Sequence, residues 1–163
     1  MGAGKSTLGR HLAQLLDRPF FDSDRVIEEK TGADIPWIFD MEGEAGFRRR
    51  EQDVIDELTR ESGIVLATGG GVVVTPENRT FLHERGWVVY LWTPVDIQLA
   101  RTRIDKGRPL LQTADPRARL ESLFAERDPL YRQVAHHVVS TASGNLKKVA
   151  DDVLACLDSH PQG

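Results

Sequence analysis

Three consecutive residues near the start of the chain, Gly4, Lys5 and Ser6, fill the last three positions of G-x-x-x-x-G-K-[ST]. The first glycine of that pattern would fall two residues before Met1. The residue types suit a polyphosphate. Glycines let backbone N–H groups come close to phosphate oxygens. A helix opening at the loop adds the positive end of its dipole. A lysine there is a point charge for the β- and γ-phosphates, and the serine hydroxyl is a hard ligand for Mg2+. Gly2, Ala3, Gly4, Lys5, Ser6 and Thr7 are therefore the candidate nucleotide-phosphate cradle.

Further along are groups that could work on what the phosphate is transferred to. Asp22 and Asp24 stand two apart behind Phe20-Phe21. Two carboxylates there can divide labour, one toward Mg2+ and one toward a hydroxyl; the plainer alternative is that one caps the next helix. Arg48-Arg49-Arg50 lies on the first turns of a helical stretch, where basic residues oppose the dipole. An anionic ligand would account for at least one of them, and a solvated face for the others. Glu51 is spaced to brace Arg48. Gly69-Gly70-Gly71 allows a ligand to touch backbone directly. His136 and His137 lack a metal-site pattern, and the single cysteine, Cys156, lies in a helical tail as a buried thiol.

Stepping outward, apolar spacing supplies the elements. Leu8, Leu12, Leu15 and Leu16 make a helical stripe behind the loop. Phe20-Phe21 begins a short strand. Residues 25 to 62 read as helices, interrupted at residues 31 to 34 and at Glu42-Gly43-Glu44. Residues 63 to 68 and 87 to 92 are continuous apolar runs expected to be strands buried on both faces. Helices follow from Pro76 and Pro94. Residues 105 to 116 fit neither period and read as a loop, with a helix after it through Leu120, Leu123 and Phe124. Residues 137 to 140 form a last strand. Leu146, Val149, Ala150, Val153, Leu154 and Leu157 mark a final amphipathic helix.

The 163 residues suffice for one domain with a real core. A composition of 40% hydrophobic and 28% charged residues is ordinary for a globular protein. The net charge of −4 points to neither a nucleic-acid surface nor a membrane surface, so anionic ligands must be held by local clusters. No apolar run reaches membrane-span length and no signal peptide is visible, which makes the cytoplasm the expected compartment.

With the P-loop, D-S-D, G-F-R, T-G-G-G, G-R-P-L-L and E-R-x-P-L-Y in this order, the chain resembles the shikimate kinases from Met1 to about Leu157. That family belongs with the nucleoside-monophosphate-kinase-like P-loop proteins. The resemblance implies transfer of the γ-phosphoryl of ATP to the 3-hydroxyl of shikimate, on the route to chorismate and the aromatic amino acids. It implies a P-loop NTPase α/β fold of three layers, α/β/α, around a parallel sheet of order 2-3-1-4-5. It also implies a single domain over 1–163, with a substrate-binding helical region at about 23–62 and a lid at about 106–117. By the same resemblance, Ser6 ligates Mg2+, Asp22 reaches it through water, and Asp24 contacts the shikimate hydroxyls and is the candidate base. Arg48 and Arg127 grip the shikimate carboxylate, which a planar guanidinium matches bidentately. Glu51 supports Arg48, Gly70 offers its backbone N–H to the substrate, and Phe39 and Phe47 wall the pocket. Pro109 and Leu110 make lid contacts, and Arg108 is the lid arginine that reaches the ATP phosphates. Mg2+ is the implied cofactor, shikimate and ATP are the partners, and the expected state is a monomer.

One departure is that family members begin with a strand before the P-loop, central in the sheet, which this chain lacks; the expectation is that the natural protein begins upstream. Another is Gly144, where some relatives place an arginine or glutamine against adenine. The alternatives are another small-molecule P-loop kinase, such as a gluconate kinase, and an inactive or incomplete nucleotide-binding fragment.

Overall fold

The computed structural model describes residues 5 to 102 and 115 to 159. Helix α1, Lys5–Leu16, is the first described element and buries Leu8 and Leu12, while Leu15, expected on the same stripe, is 54% exposed. Strand β1, Phe20–Asp22, is short because Asp22 turns the chain. Its side chain accepts the backbone amides of Asp24 and Arg25 and so caps α2, Ser23–Thr31. Gly32, at φ 71°, closes that helix.

Helix α3, Ile35–Leu58, is capped by Asp34, whose carboxylate accepts the Trp37 amide at 2.9 Å. It breaks at Gly43, with φ 73° and ψ 177°, a conformation that a side chain would resist. Arg48 thus rides on the first turns of a fresh helical segment, as the sequence suggested. Strand β2, Val65–Ala67, leads through the glycines into a 3-10 turn, Val72–Val74. Helix α4, Pro76–Arg85, begins at its proline and is stopped by Gly86. Strand β3 is Val89–Trp92, and α5 is Val95–Thr102. Helix α6, Pro116–Val134, is capped by Asp115 and continues through Pro129. Strand β4, His137–Ser140, and α7, Leu146–Ser159, complete the described chain.

The strands form two parallel pairs. β1 lies beside β2 with Phe20 opposite Val65, and β3 lies beside β4 with Val89 opposite His137. β2 and β3 were expected to be buried on both faces, yet most of their residues are only half-buried. The reason is a cavity of about 530 Å3 lined by both strands together with Leu8, Leu12, Leu120 and Leu123. The strands are also shorter than the apolar runs that contain them. Three apolar clusters hold the layers together. One joins α1, β4 and α7 through Leu8, Leu12, Val139, Val149 and Val153. A second joins α2 and α3 through Ile27, Ile38, Phe47, Val54 and Leu58. A third joins α3, the 3-10 turn, α4 and α6 through Ile55, Val72, Val73, Leu82 and Val134. The result is an α/β arrangement with helices packed around small parallel sheets. No described helix is long and apolar enough to cross a membrane.

Candidate active site

The turn Gly69-Gly70-Gly71 at the carboxyl end of β2 is where the candidate residues meet. In an open α/β sheet this is the end at which ligands bind. Gly69 donates its N–H to the buried Ser23 hydroxyl at 3.2 Å, which ties the turn to α2. A Cβ on Gly69 would lie 2.7 Å from Asp24 Oδ1, so the Asp24 carboxylate rests directly on the glycine backbone. A Cβ on Gly71 would lie 2.2 Å from Arg48 Nη2 and 2.5 Å from Nη1, so the guanidinium rests on Gly71 in the same way. Two helices thereby bring a carboxylate and a cation onto one turn because that turn has no side chains.

Arg48 is held from its own helix. Its Nη1 donates to Glu51 Oε1 at 3.0 Å and its Nη2 to Glu44 Oε1 at 3.3 Å. Its side chain is 12% exposed, and it lies over the Phe47 ring at 5.2 Å. Arg49 and Arg50 point elsewhere: both are exposed, and Arg50 pairs with Glu42 at 2.8 Å. Phe39 and Phe47 pack with ring centroids 4.8 Å apart beside this group.

Glu51 is fully buried, and its second oxygen, Oε2, has no hydrogen-bond partner among the described residues. Burial, which penalises the ionised form, pushes its carboxyl up to about 7, against the pull of the Arg48 charge and hydrogen bond. Asp24 raises it further and Arg127 lowers it, which places both within electrostatic reach of Glu51. Arg127 comes from α6 and is 4% exposed; its Nε, like that of Arg48, has no hydrogen-bond partner among the described residues. Asp24, Arg48, Glu51 and Arg127 therefore lie near one another, with Glu51 and Arg127 buried and Asp24 and Arg48 half-buried. Two guanidiniums with spare donors there can take an anionic group, and the carboxylate beside them can face a hydroxyl.

At the other side, Ser6 on the first turn of α1 donates its hydroxyl to Asp22 Oδ2 at 2.5 Å. Asp22 is therefore the helix cap weighed for it, through Oδ1, while its Oδ2 accepts the Ser6 hydroxyl. A hydroxyl beside a carboxylate is a hard-oxygen pair that fits Mg2+, which binds one or two protein groups and completes its shell with phosphates and water. No cluster of three or more His, Cys, Asp or Glu side chains capable of holding a metal occurs among the described residues. Gly2, Ala3 and Gly4 of the cradle, and Arg108, Pro109, Leu110 and most of the lid, lie outside the described residues. At residue 144, φ is 68°, and the nearest neighbour of a Cβ there would be Arg101 Nη2 at 4.0 Å. Arg101 donates to Thr141 O at 3.1 Å.

Sequence reasoning missed Tyr131, whose phenol donates to the Gly70 carbonyl. The tyrosine stands in the E-R-x-P-L-Y stretch, one helical turn after Arg127, and that i, i+4 spacing was the available signal.

A family model described as shikimate kinase matches residues 1–158. A shikimate kinase of Halorhodospira halophila is 62% identical over 161 residues, covering 99% of this chain and 91% of that protein. One of Photobacterium profundum is 61% identical over 158 residues, covering 97% and 90% respectively. Among solved structures, a shikimate kinase from Acinetobacter baumannii in complex with shikimate superposes with a TM-score of 0.95 at 56% identity, covering 98% of this chain and 89% of that one.

Proposed function

The chain belongs to the shikimate kinase family, and on that premise we propose how its residues divide the work of an ATP-dependent kinase acting on the 3-hydroxyl of shikimate. The protein is an enzyme of aromatic amino acid biosynthesis. The observation that carries the assignment of roles is that Asp24 and Arg48 rest on one glycine turn, with Arg127 within electrostatic reach of the Glu51 that holds Arg48.

Arg48 and Arg127 bind the shikimate carboxylate, and Glu51 fixes the Arg48 fork. Gly70 meets the substrate with its backbone N–H. Asp24, pressed on Gly69, orients the 3-hydroxyl and takes its proton late, because phosphoryl transfer passes through a loose transition state that demands alignment more than a strong base. Residues 2 to 7 cradle the ATP phosphates, with Lys5 balancing charge on the transferring group and Arg108 joining it from the lid. Ser6, with Asp22 through water, would hold Mg2+, which would supply neutralising charge for the β- and γ-phosphates. Excluding water from the closed site protects ATP from hydrolysis.

The proposed sheet order is 2-3-1-4-5. β1, β2, β3 and β4 take places 2, 3, 4 and 5, and place 1 falls between β2 and β3, where no described residue forms a strand. The cavity between the two strand pairs supports this order. Backbone pairing of β2 directly with β3, seen as cross-strand proton contacts in solution, would refute it. The helical region at about 23–62 is the substrate side, the lid is at about 106–117, and a cytoplasmic monomer is the proposed working state.

The test is a coupled ADP assay with MgATP and a panel of small hydroxy acids, including gluconate. Turnover is expected with shikimate. Turnover with gluconate instead would favour the other P-loop kinase reading, and turnover with neither would favour the inactive one. Arg48→Ala should raise the shikimate KM and leave the ATP KM near its wild-type value, while Arg108→Ala should lower kcat more than it changes shikimate affinity. The reverse pattern would overturn the two assignments.

A further inference from the structure

A run of three glycines cannot fix its own shape. In this turn the carbonyls of Gly69 and Gly71 accept the amides of Val72 and Val74 at 3.2 and 3.1 Å. The carbonyl between them, that of Gly70, accepts the Tyr131 phenol of α6 instead. The phenol is partly buried, and that burial raises its pKa above that of an ordinary tyrosine. The Arg127 guanidinium, one turn earlier on α6, is near enough that its charge pulls the phenol's pKa back down. The Tyr131 ring is itself held: it packs on Tyr90 of β3 with centroids 4.8 Å apart. Tyr90 in turn donates to Asp128 Oδ1 at 2.7 Å, and Asp128 Oδ2 accepts Arg132 Nε at 3.0 Å.

The two arginines come from different helices, and something must set their separation. Arg48 rests on Gly71, and Arg127 stands beside the phenol that holds Gly70. We propose that Tyr131 is a positioning residue of the acid-binding pair: its hydrogen bond to the Gly70 carbonyl locks the turn that seats Arg48, and its contact with Arg127 holds the second guanidinium to the same reference point. It is not a catalytic residue, because its hydroxyl proton is given to the Gly70 carbonyl. The inference rests on the assignment of Arg48 and Arg127 to the shikimate carboxylate.

Tyr131→Phe keeps the ring and removes only the hydroxyl. Steady-state kinetics on wild type, Tyr131→Phe and Tyr90→Phe, each substrate varied in turn, separate positioning from general support. Losing one neutral hydrogen bond corresponds to roughly a threefold to tenfold effect. Tyr131→Phe should raise the shikimate KM by about that factor and leave the ATP KM within about twofold. Tyr90→Phe, which breaks the bond to Asp128 and spares the one to Gly70, should lower Tm with the shikimate KM unmoved. The inference is overturned if Tyr131→Phe shifts Tm alone, if both variants raise the shikimate KM equally, or if Tyr131→Phe fails to fold, since the phenol would then be holding the fold and not the pair. A wild type that turns shikimate over while the Tyr131→Phe KM stays unchanged refutes the tyrosine's role only. A wild type inactive on shikimate refutes the underlying functional reading.

Discussion

Gly71→Ala isolates the seat of Arg48. The backbone there has φ −88° and ψ 4°, which alanine adopts without strain, so the substitution does not attack the turn's conformation. It attacks a contact. The new methyl would stand 2.2 Å from Nη2, 2.5 Å from Nη1 and 2.6 Å from Cζ of Arg48. Ordinary contact requires about 3.5 Å, so the guanidinium must withdraw by about 1 Å or more. The side chain is long enough to do so, at the expense of its alignment with Glu51 and with a bound carboxylate. A hydrogen bond to a charged group is worth roughly 1.5–3 kcal/mol, so losing one lowers shikimate affinity about 10- to 150-fold. Stability should fall only modestly, because the gain of about 0.4–1 kcal/mol from restricting the unfolded chain partly offsets the weakened Arg48–Glu51 bond. The assay is a coupled ADP measurement with shikimate varied at saturating MgATP, beside a thermal melt. A folded Gly71→Ala protein with an unchanged shikimate KM would show that Arg48 does not bind from that seat.

Two further substitutions probe the buried polar groups. The Glu51 carboxyl is raised from an ordinary 4.5 to about 7, so between those values the folded state binds more protons than the unfolded one, and stability falls as pH rises through the window, by roughly 3 kcal/mol in all. Glu51→Gln removes this dependence. The Tm of wild type relative to Glu51→Gln should therefore drop from pH 5 to pH 8, and a flat difference would contradict the shift. Asn78 is fully buried and donates Nδ2 to the Val72 carbonyl at 3.1 Å, just beyond the glycine turn. Asn78→Ala should cost about 1–3 kcal/mol in a denaturant melt by leaving that carbonyl unpaired, and a loss below about 0.5 kcal/mol would mean that water replaces the amide.

Local features were the most legible in the sequence. The break at residues 31 to 34, the interruption at Gly43, the helix opening at Pro76 and strand β4 all follow from short-range chemistry that a few neighbouring residues specify, whereas Asp34 and Asp115, which the sequence showed only as part of a break and a loop, are helix caps. The arginine triplet separated as expected, with Arg48 turned inward and Arg49 and Arg50 outward. What the sequence could not display depends on residues far apart in the chain. Asp22 was read as either a cap or a site group; it caps α2, and its other oxygen accepts Ser6 from sixteen residues away, a contact no local pattern displays. The pairing of Tyr131 with Gly70 spans sixty-one positions. Leu15 kept helical spacing yet faces solvent, because periodicity gives the direction of a stripe and not its width.

The division of the apolar interior into three clusters has a consequence for local stability. Arg48 and Arg127 are carried by helices that share one cluster, so they belong to one cooperative unit. Ser6 and Lys5 sit on a helix anchored in another, with β4 and α7. Amide hydrogen exchange should then divide along the same seam. Shikimate should slow exchange chiefly in α3 and α6, nucleotide chiefly in α1 and α7, and both ligands together should slow it beyond either alone only where the two units touch.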